Sequence, residues 1–251
     1  MHPDEHAARV QLAACYRVFD LLGWTELIYN HITLRLPDSA TGGARQFLIN
    51  PFGLHYNEVS ASNLVKIDPQ GTVLDGSPYP VNPAGFTVHA AIHQAMPDAH
   101  CVMHTHTTAG MAVACVQGGL QPTNFYSAQL VDRVAYHDFE GITVHADEAP
   151  RLLASIGDKP AVILRNHGLL AWGRTLPQTF ATLWTLQRAC EVQLATLSMA
   201  RRSRSPPPWR PAAPTMLCNS TPTMVAGRTC STPWCGRSNV PARTTATDET
   251  P

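Results

Sequence analysis

A change of rhythm at Ala200 constrains this chain more than any other feature. Before it, apolar residues recur alternately at helix and strand spacing; after it, no period survives. Residues 5–22, EHAARVQLAACYRVFDLL, carry helical spacing and stop at Gly23, a natural C-cap. ITLRL and QFLIN alternate as strands do, around a PDSATGGAR hairpin loop, and LVKIDPQGTVLDG reads as two short strands about a turn. GFTVHAAIHQAM is helical and ends at Pro97, HCVMHTH is a strand, and TAGMAVAC is a helix of small residues. ITVH and AVILRN follow as strands, the second apolar enough to be central, before the long amphipathic helix LPQTFATLWTLQRACEVQLATLSMA. Strands interleaved with helices predict an α/β layered sandwich over residues 1–200.

Residues 201–251 are rich in Pro, Arg, Ser and Thr and predict an irregular, disordered tail. A flexible tail, a basic interaction motif and out-of-frame translation all fit, and the third is favoured. With permissible codons, Arg228 to Asp248 can be back-translated to read PDLLDAMVRQVERAGPDYRD in the −1 frame, an amphipathic pattern that the printed residues lack. The gene's nucleotides decide the matter. No function is assigned to this segment.

The chain has 251 residues and a formal net charge of zero, so nothing in its charge points to nucleic acid or an anionic membrane. The longest apolar run is too short to span a bilayer, and MHPDEHAARV lacks the pattern of a secretory signal. Seven cysteines (15, 101, 115, 190, 218, 230 and 235) form no C-x-x-C pair, which predicts free thiols and a cytoplasmic location. Cys101 and Cys115 are expected to be buried as small hydrophobes.

The chemistry gathers on histidine. His104 and His106 flank one residue of a strand, so both rings leave the same face and can reach one ion. His167 follows the strand AVILRN in Asn166-His167-Gly168. Three imidazoles with a fourth position open would make a catalytic metal site, zinc first among metals that also include Fe, Co, Ni and Cu. The residues alone leave a second reading open, in which these are satisfied histidines of a partly buried strand.

Several separated motifs resemble, in order, the class II aldolase/adducin family, in its adducin-like branch. They are YNHITLRLPD, FLINPFGLHYNEVSASNLVKID, NPAGFTVHAAIHQAMPDAHCVMHTHT, VAYHDFEGI and ILRNHGLLAWG, and the resemblance spans about residues 5–197. It implies a three-layer α/β/α sandwich with a mostly antiparallel or mixed sheet, a homo-oligomer (a tetramer), and a divalent metal on His104, His106 and His167. The aldolases of this family place an acid/base glutamate four residues before a helix histidine; four before His89 stands Gly85. Their paired serines become Pro83 and Ala84, and their phosphate loop becomes Asn50-Pro51-Phe52-Gly53. Pro83 has no N–H and Phe52 no hydroxyl, which argues against a sugar phosphate.

Asn30 matches the family's pocket asparagine, so Asn30, Asn50 and Gly53 are the expected substrate-binding positions. His89 is the provisional base in place of the glutamate, with His93 expected outward or at an interface. Tyr126, Tyr136, His137 and Asp138 are further candidates, the tyrosines more readily as core, and Glu26 faces solvent or caps a turn. Asn166 either orients His167 or serves a turn. Two functions remain: a metal-dependent carbon–carbon lyase acting on a small non-phosphorylated hydroxy-carbonyl compound, and a non-catalytic assembly module like the actin-associated adducin heads.

Overall fold

The computed structural model describes residues 1–141 and 148–199. The expected strand ITVH and the tail 201–251, with its out-of-frame reading, lie outside the described residues.

Among the described residues, seven strands form one sheet: β1 (His31–Arg35), β2 (Phe47–Ile49), β3 (Val65–Ile67), β4 (Cys101–Thr105), β5 (Val134–His137), β6 (Ala161–Leu164) and β7 (Gly168–Gly173). Their spatial order is β3-β2-β1-β4-β7-β6-β5, with every pair antiparallel except β5 and β6. The sheet is therefore mixed, and β4 is its middle strand.

The period of two sorts each strand between two cores. Ile32, Leu34, Cys101, Met103, Ile163, Leu169 and Ala171 meet α1 (Pro3–Leu21), α4 (Thr108–Ala114) and α7 (Leu176–Leu197) on one face. Val102, Val162, Leu164 and Leu170 meet α3 (Pro83–Ala95) and α6 (Ala149–Ile156) on the other, and Phe47, Ile49, Val65 and Ile67 extend that face beneath Phe86 and Ala90 of α3. Helices on both faces of one sheet make the three-layer α/β/α sandwich. Short helices α2 (Asp38–Thr41) and α5 (Phe125–Ala128) fill connections. Among the described residues no helix is long and apolar enough to cross a membrane.

The helix ends follow their sequence. α1 and α7 each begin with proline in the first turn, where its missing N–H is not needed, and Thr175 caps α7 by accepting from Gln178 N. α1 closes into Gly23 at φ 72°, a left-handed residue that glycine adopts without strain.

Several expectations are corrected. AVIL of AVILRN is β6, fully buried but next to β5, the last described strand of the sheet; its apolarity reports helices on both faces, not a central place. GLLAWG is a separate strand, β7, returning antiparallel after a three-residue turn. VAYH forms β5 and APRLLASI forms α6, two elements beyond those expected from the sequence. The second strand expected within LVKIDPQGTVLDG is only a bridge between Ile67 and Val73. Cys115 is exposed at the end of α4, whereas Cys101 is buried.

Candidate functional site

The site lies where β4, β1 and the β6–β7 turn meet. β4 and β1 run antiparallel with His104 directly opposite His31. In each strand these histidines occupy the face turned toward α3, while the neighbouring Met103 and Ile32 enter the opposite core. His106 lies one residue beyond the end of β4, and its backbone N–H donates to Asn30 Oδ1 at 2.8 Å. His167 stands in the turn Arg165-Asn166-His167, held by backbone bonds from Arg165 N to His137 O, Asn166 N to Ala114 O and His167 N to Leu164 O. Asn166 is exposed at φ 55°, a left-handed position asparagine tolerates better than most residues. The turn accounts for it. Gly168 is required as well: a Cβ there would collide with the Thr105 carbonyl oxygen.

One ring nitrogen from each of His104, His106 and His167 lies within 4.8 Å of the others. The ring centroids are 4.3 Å apart for His104–His106, 4.8 Å for His104–His167 and 4.9 Å for His106–His167. Hydrogen bonds fix two of the tautomers. His104 Nδ1 faces Leu169 O at 2.8 Å, and a carbonyl can only accept, so Nδ1 carries the proton. His106 Nδ1 faces Asn30 Oδ1 at 3.1 Å. That atom is the amide oxygen, because the other end of Asn30 donates to Trp24 O at 2.9 Å. Both Nε2 atoms are then lone pairs, yet they face each other at 2.9 Å. Two such lone pairs repel unless a cation lies between them. Burial favours the neutral rings: it depresses His104 well below the ordinary imidazole range and His106 to about 3, and it lowers His167 against the opposing pull of Glu148. Neutral imidazole is the form that binds a metal. This donor set fits a divalent ion.

Sequence reasoning missed His31. It is buried, its ring lies 5.2 Å from that of His104, and its Nδ1 donates to Tyr29 O at 3.3 Å. Its Nε2 has no hydrogen-bond partner. The ring lies over Gly85: a Cβ on that residue would stand 2.9–3.0 Å from three ring atoms. The imidazole thus fills the space that any side chain at position 85 would need. The signal available was the pattern of β1 itself, where polar His31 and Thr33 alternate with Ile32 and Leu34.

His89 lies behind His31, ring centroids 4.3 Å apart, fully buried and not bordering the cavity. His93 is buried too, not outward as expected, because residues four apart share a helix face. Thr33 Oγ1 joins the two histidines, 2.8 Å from His89 Nδ1 and 2.7 Å from His93 Nε2, and His93 Nδ1 donates to Ala99 O at 2.6 Å. The direction follows from the carbonyl: Thr33 donates to His93 and accepts from His89, leaving His89 Nε2 buried without a partner.

The remaining candidates fall elsewhere. Asn30 positions His106 and does not border the cavity. Asn50 is buried and receives the Tyr16 hydroxyl at 3.0 Å, while Gly53 occupies a turn at φ 100°; neither borders the cavity. Tyr126 packs on Trp184, and the Tyr136 hydroxyl accepts from Leu120 N, so both tyrosines are structural. His137 is buried between Ser155 and Glu148, Asp138 pairs with Arg165 in solvent, and Glu26 sits in a turn at φ 43°.

The four histidines His31, His104, His106 and His167 line a cavity of about 290 Å³. Tyr29, Asn82, Gly85, Val88, Phe139, Gly141 and Leu164 complete its described walls.

Known proteins share this sequence and architecture. The family model described as Class II Aldolase and Adducin N-terminal domain matches residues 10–194. A Pseudomonas aeruginosa protein named for aldolase class 2 is 47% identical over 194 residues, 77% of this chain and 73% of that protein. Alpha-adducin of Mus musculus is 46% identical over 199 residues, 78% of this chain but 26% of the longer adducin. An aldolase II superfamily protein from Pseudomonas syringae superposes with a TM-score of 0.75 at 44% identity, covering 79% of each chain. L-fuculose 1-phosphate aldolase from Glaciozyma antarctica does so at 0.67 and 30% identity, covering 76% of this chain and 73% of that one.

Proposed function

Because the chain belongs to the Class II Aldolase and Adducin N-terminal domain family, we propose that it is a metal-dependent lyase acting on a small, non-phosphorylated hydroxy-carbonyl compound. His104, His106 and His167 are the ligands, and zinc is the first choice of metal. The observation that carries this reading is the pair of Nε2 lone pairs facing each other at 2.9 Å while both Nδ1 protons are committed elsewhere. A divalent metal bound there supplies Lewis-acid polarisation of a carbonyl oxygen.

The chain's own groups do the rest. Leu169 O and Asn30 Oδ1 hold two ligand rings in their tautomers. The proton-accepting role expected of His89 passes in this reading to His31, which borders the cavity while His89 stands behind it. Among the described residues no Lys or Arg lines the cavity, so no cationic side chain stands there to receive a phosphate.

A second reading, a non-catalytic assembly module, is favoured by the 46% identity to alpha-adducin and by Gly85 in place of a carboxylate. Metal analysis of the purified protein, beside a His104→Ala/His106→Ala variant, separates the two. The lyase reading expects about one zinc per chain in the wild type and a near-complete loss in the variant. Less than roughly a tenth of an equivalent after reconstitution rejects it. A retro-aldol and decarboxylation panel on non-phosphorylated hydroxy acids then tests turnover, which must disappear in the double variant.

A further inference from the structure

The cavity is chemically divided. Four imidazoles supply one part of its lining, and the side chains of Tyr29, Val88, Phe139 and Leu164 supply a largely apolar part, with Phe139 meeting His167 at 6.3 Å between ring centroids. Among the described residues, the other polar side-chain groups on the wall are the Tyr29 hydroxyl and the amide of Asn82, which precedes α3 without capping it. A polyhydroxylated ligand would place its hydroxyls against these apolar walls, and each buried hydroxyl left unpaired loses about 1–3 kcal/mol. An apolar group there would shed water from its own surface and from the walls. No described residue of the wall carries a carboxylate, although the charge of Glu148 reaches His167 from outside it, so a bound divalent ion keeps much of its positive charge until a ligand offsets it.

We infer that this cavity takes a two-ended ligand: an anionic oxygen chelate at the histidines and an aromatic or branched aliphatic group against Tyr29, Val88, Phe139 and Leu164. The ligand class is a short α-hydroxy or α-keto acid with an apolar tail, rather than a sugar derivative. This inference rests on the metal-site reading. Val88 and Leu164 are at once cavity wall and part of the packed core beneath α3 and α6, so the deep end has a fixed shape. Tyr29 and Phe139 are 61% and 51% exposed. They therefore stand at the mouth, where a tail entering the cavity covers them.

Zinc-loaded full-length protein titrated calorimetrically with three hydroxamates tests the inference, because the chelating head stays constant while the tail changes. The probes are benzohydroxamate, acetohydroxamate and phosphoglycolohydroxamate. Benzohydroxamate is expected to bind at least about tenfold more tightly than either of the others. Phe139→Ser, at an exposed position, is expected to reduce that preference several-fold with zinc content and acetohydroxamate affinity unchanged. Equal affinities, or a preference for the phosphorylated probe, in protein that holds its zinc overturn the inference and leave the metal site standing. Protein that holds no zinc overturns both, and the zinc content of the titrated sample tells the two failures apart.

Discussion

Asn30 offers the sharpest test of how this chain prepares its ligand set. Its side chain is fully buried and makes three hydrogen bonds: Nδ2 to Trp24 O at 2.9 Å, and Oδ1 from His106 N at 2.8 Å and from His106 Nδ1 at 3.1 Å. Asn30→Leu keeps the volume and removes all three. It strands the Trp24 carbonyl and the His106 amide, at about 1–3 kcal/mol for each buried group left unpaired. The partly exposed imidazole can recruit water in compensation. The stability loss should therefore be about 2–6 kcal/mol. The loss of metal affinity should be separable from it. A ligand imidazole without its outer partner is free to rotate and to change tautomer, which weakens binding about 10–100-fold.

Asn30→Asp splits the two effects. It keeps an oxygen facing His106, so zinc binding should match or exceed the wild type. It also turns a second oxygen against Trp24 O, so the fold should still lose stability. The measurements are zinc competition against a chromogenic chelator at neutral pH and urea denaturation of the same proteins without metal. If Leu and Asp variants lose zinc affinity equally, or if Leu binds as the wild type does, Asn30 does not position His106 and the tautomer argument fails.

Three further outcomes follow from particular contacts. Gly85→Ala places a Cβ 2.9–3.0 Å from three His31 ring atoms and should lose about 1–3 kcal/mol. Adding His31→Ala should remove most of that loss, and strictly additive denaturation midpoints would contradict the shared-space argument. Burial, with the repulsion of His100, Arg35 and Arg45, pushes His93 down to about 4 despite the opposing pull of Ala99 O. The unfolded chain takes up a proton below about 6.5 and the folded residue does not until about 4. Stability should therefore fall as pH drops through that window, by roughly 3 kcal/mol from this residue alone at about 1.36 kcal/mol per unit. His93→Phe, packed on Phe47, should show a slope shallower by about one proton; parallel urea curves would refute this. Asn166→Gly should keep both stability and zinc affinity, whereas Asn166→Val, at φ 55°, should lose about 1–2 kcal/mol. A zinc defect in the glycine variant would show that the asparagine side chain, rather than the turn, orients His167.

The pairing of His104 and His106 on one face was legible because its information is local. His104 and His106 are two apart, and a period of two alone sends them to one side of the sheet. His167 was legible by motif, but its setting was not: a single apolar strand is not the hairpin of β6 and β7, and only Asn166 at a left-handed position hints at the turn. His31 was out of reach for a different reason. Its place beside His104 is a register between β1 and β4, 73 residues apart in the chain, and no local spacing encodes which residue of one strand faces which residue of another. Asn30 was found by motif but given the wrong setting on the same ground, since its partners Trp24 and His106 come together only in the folded sheet.

Position 85 shows why counting motif residues is not enough. Read along the chain, Gly85 is a deletion: a carboxylate that the aldolase pattern expects is missing. In space it is an exchange, because the imidazole of His31 occupies the volume and would touch any Cβ introduced there. The two residues therefore constrain one another, and restoring a glutamate at 85 alone would displace His31 before it supplied a base. The exchange also changes the electrostatics. A carboxylate beside a divalent ion would offset part of its charge, whereas a neutral imidazole offsets none. Glu148, whose charge reaches His167, offsets part of it from beyond the wall. In the reading proposed above the rest falls to the ligand, which favours an anionic chelating head.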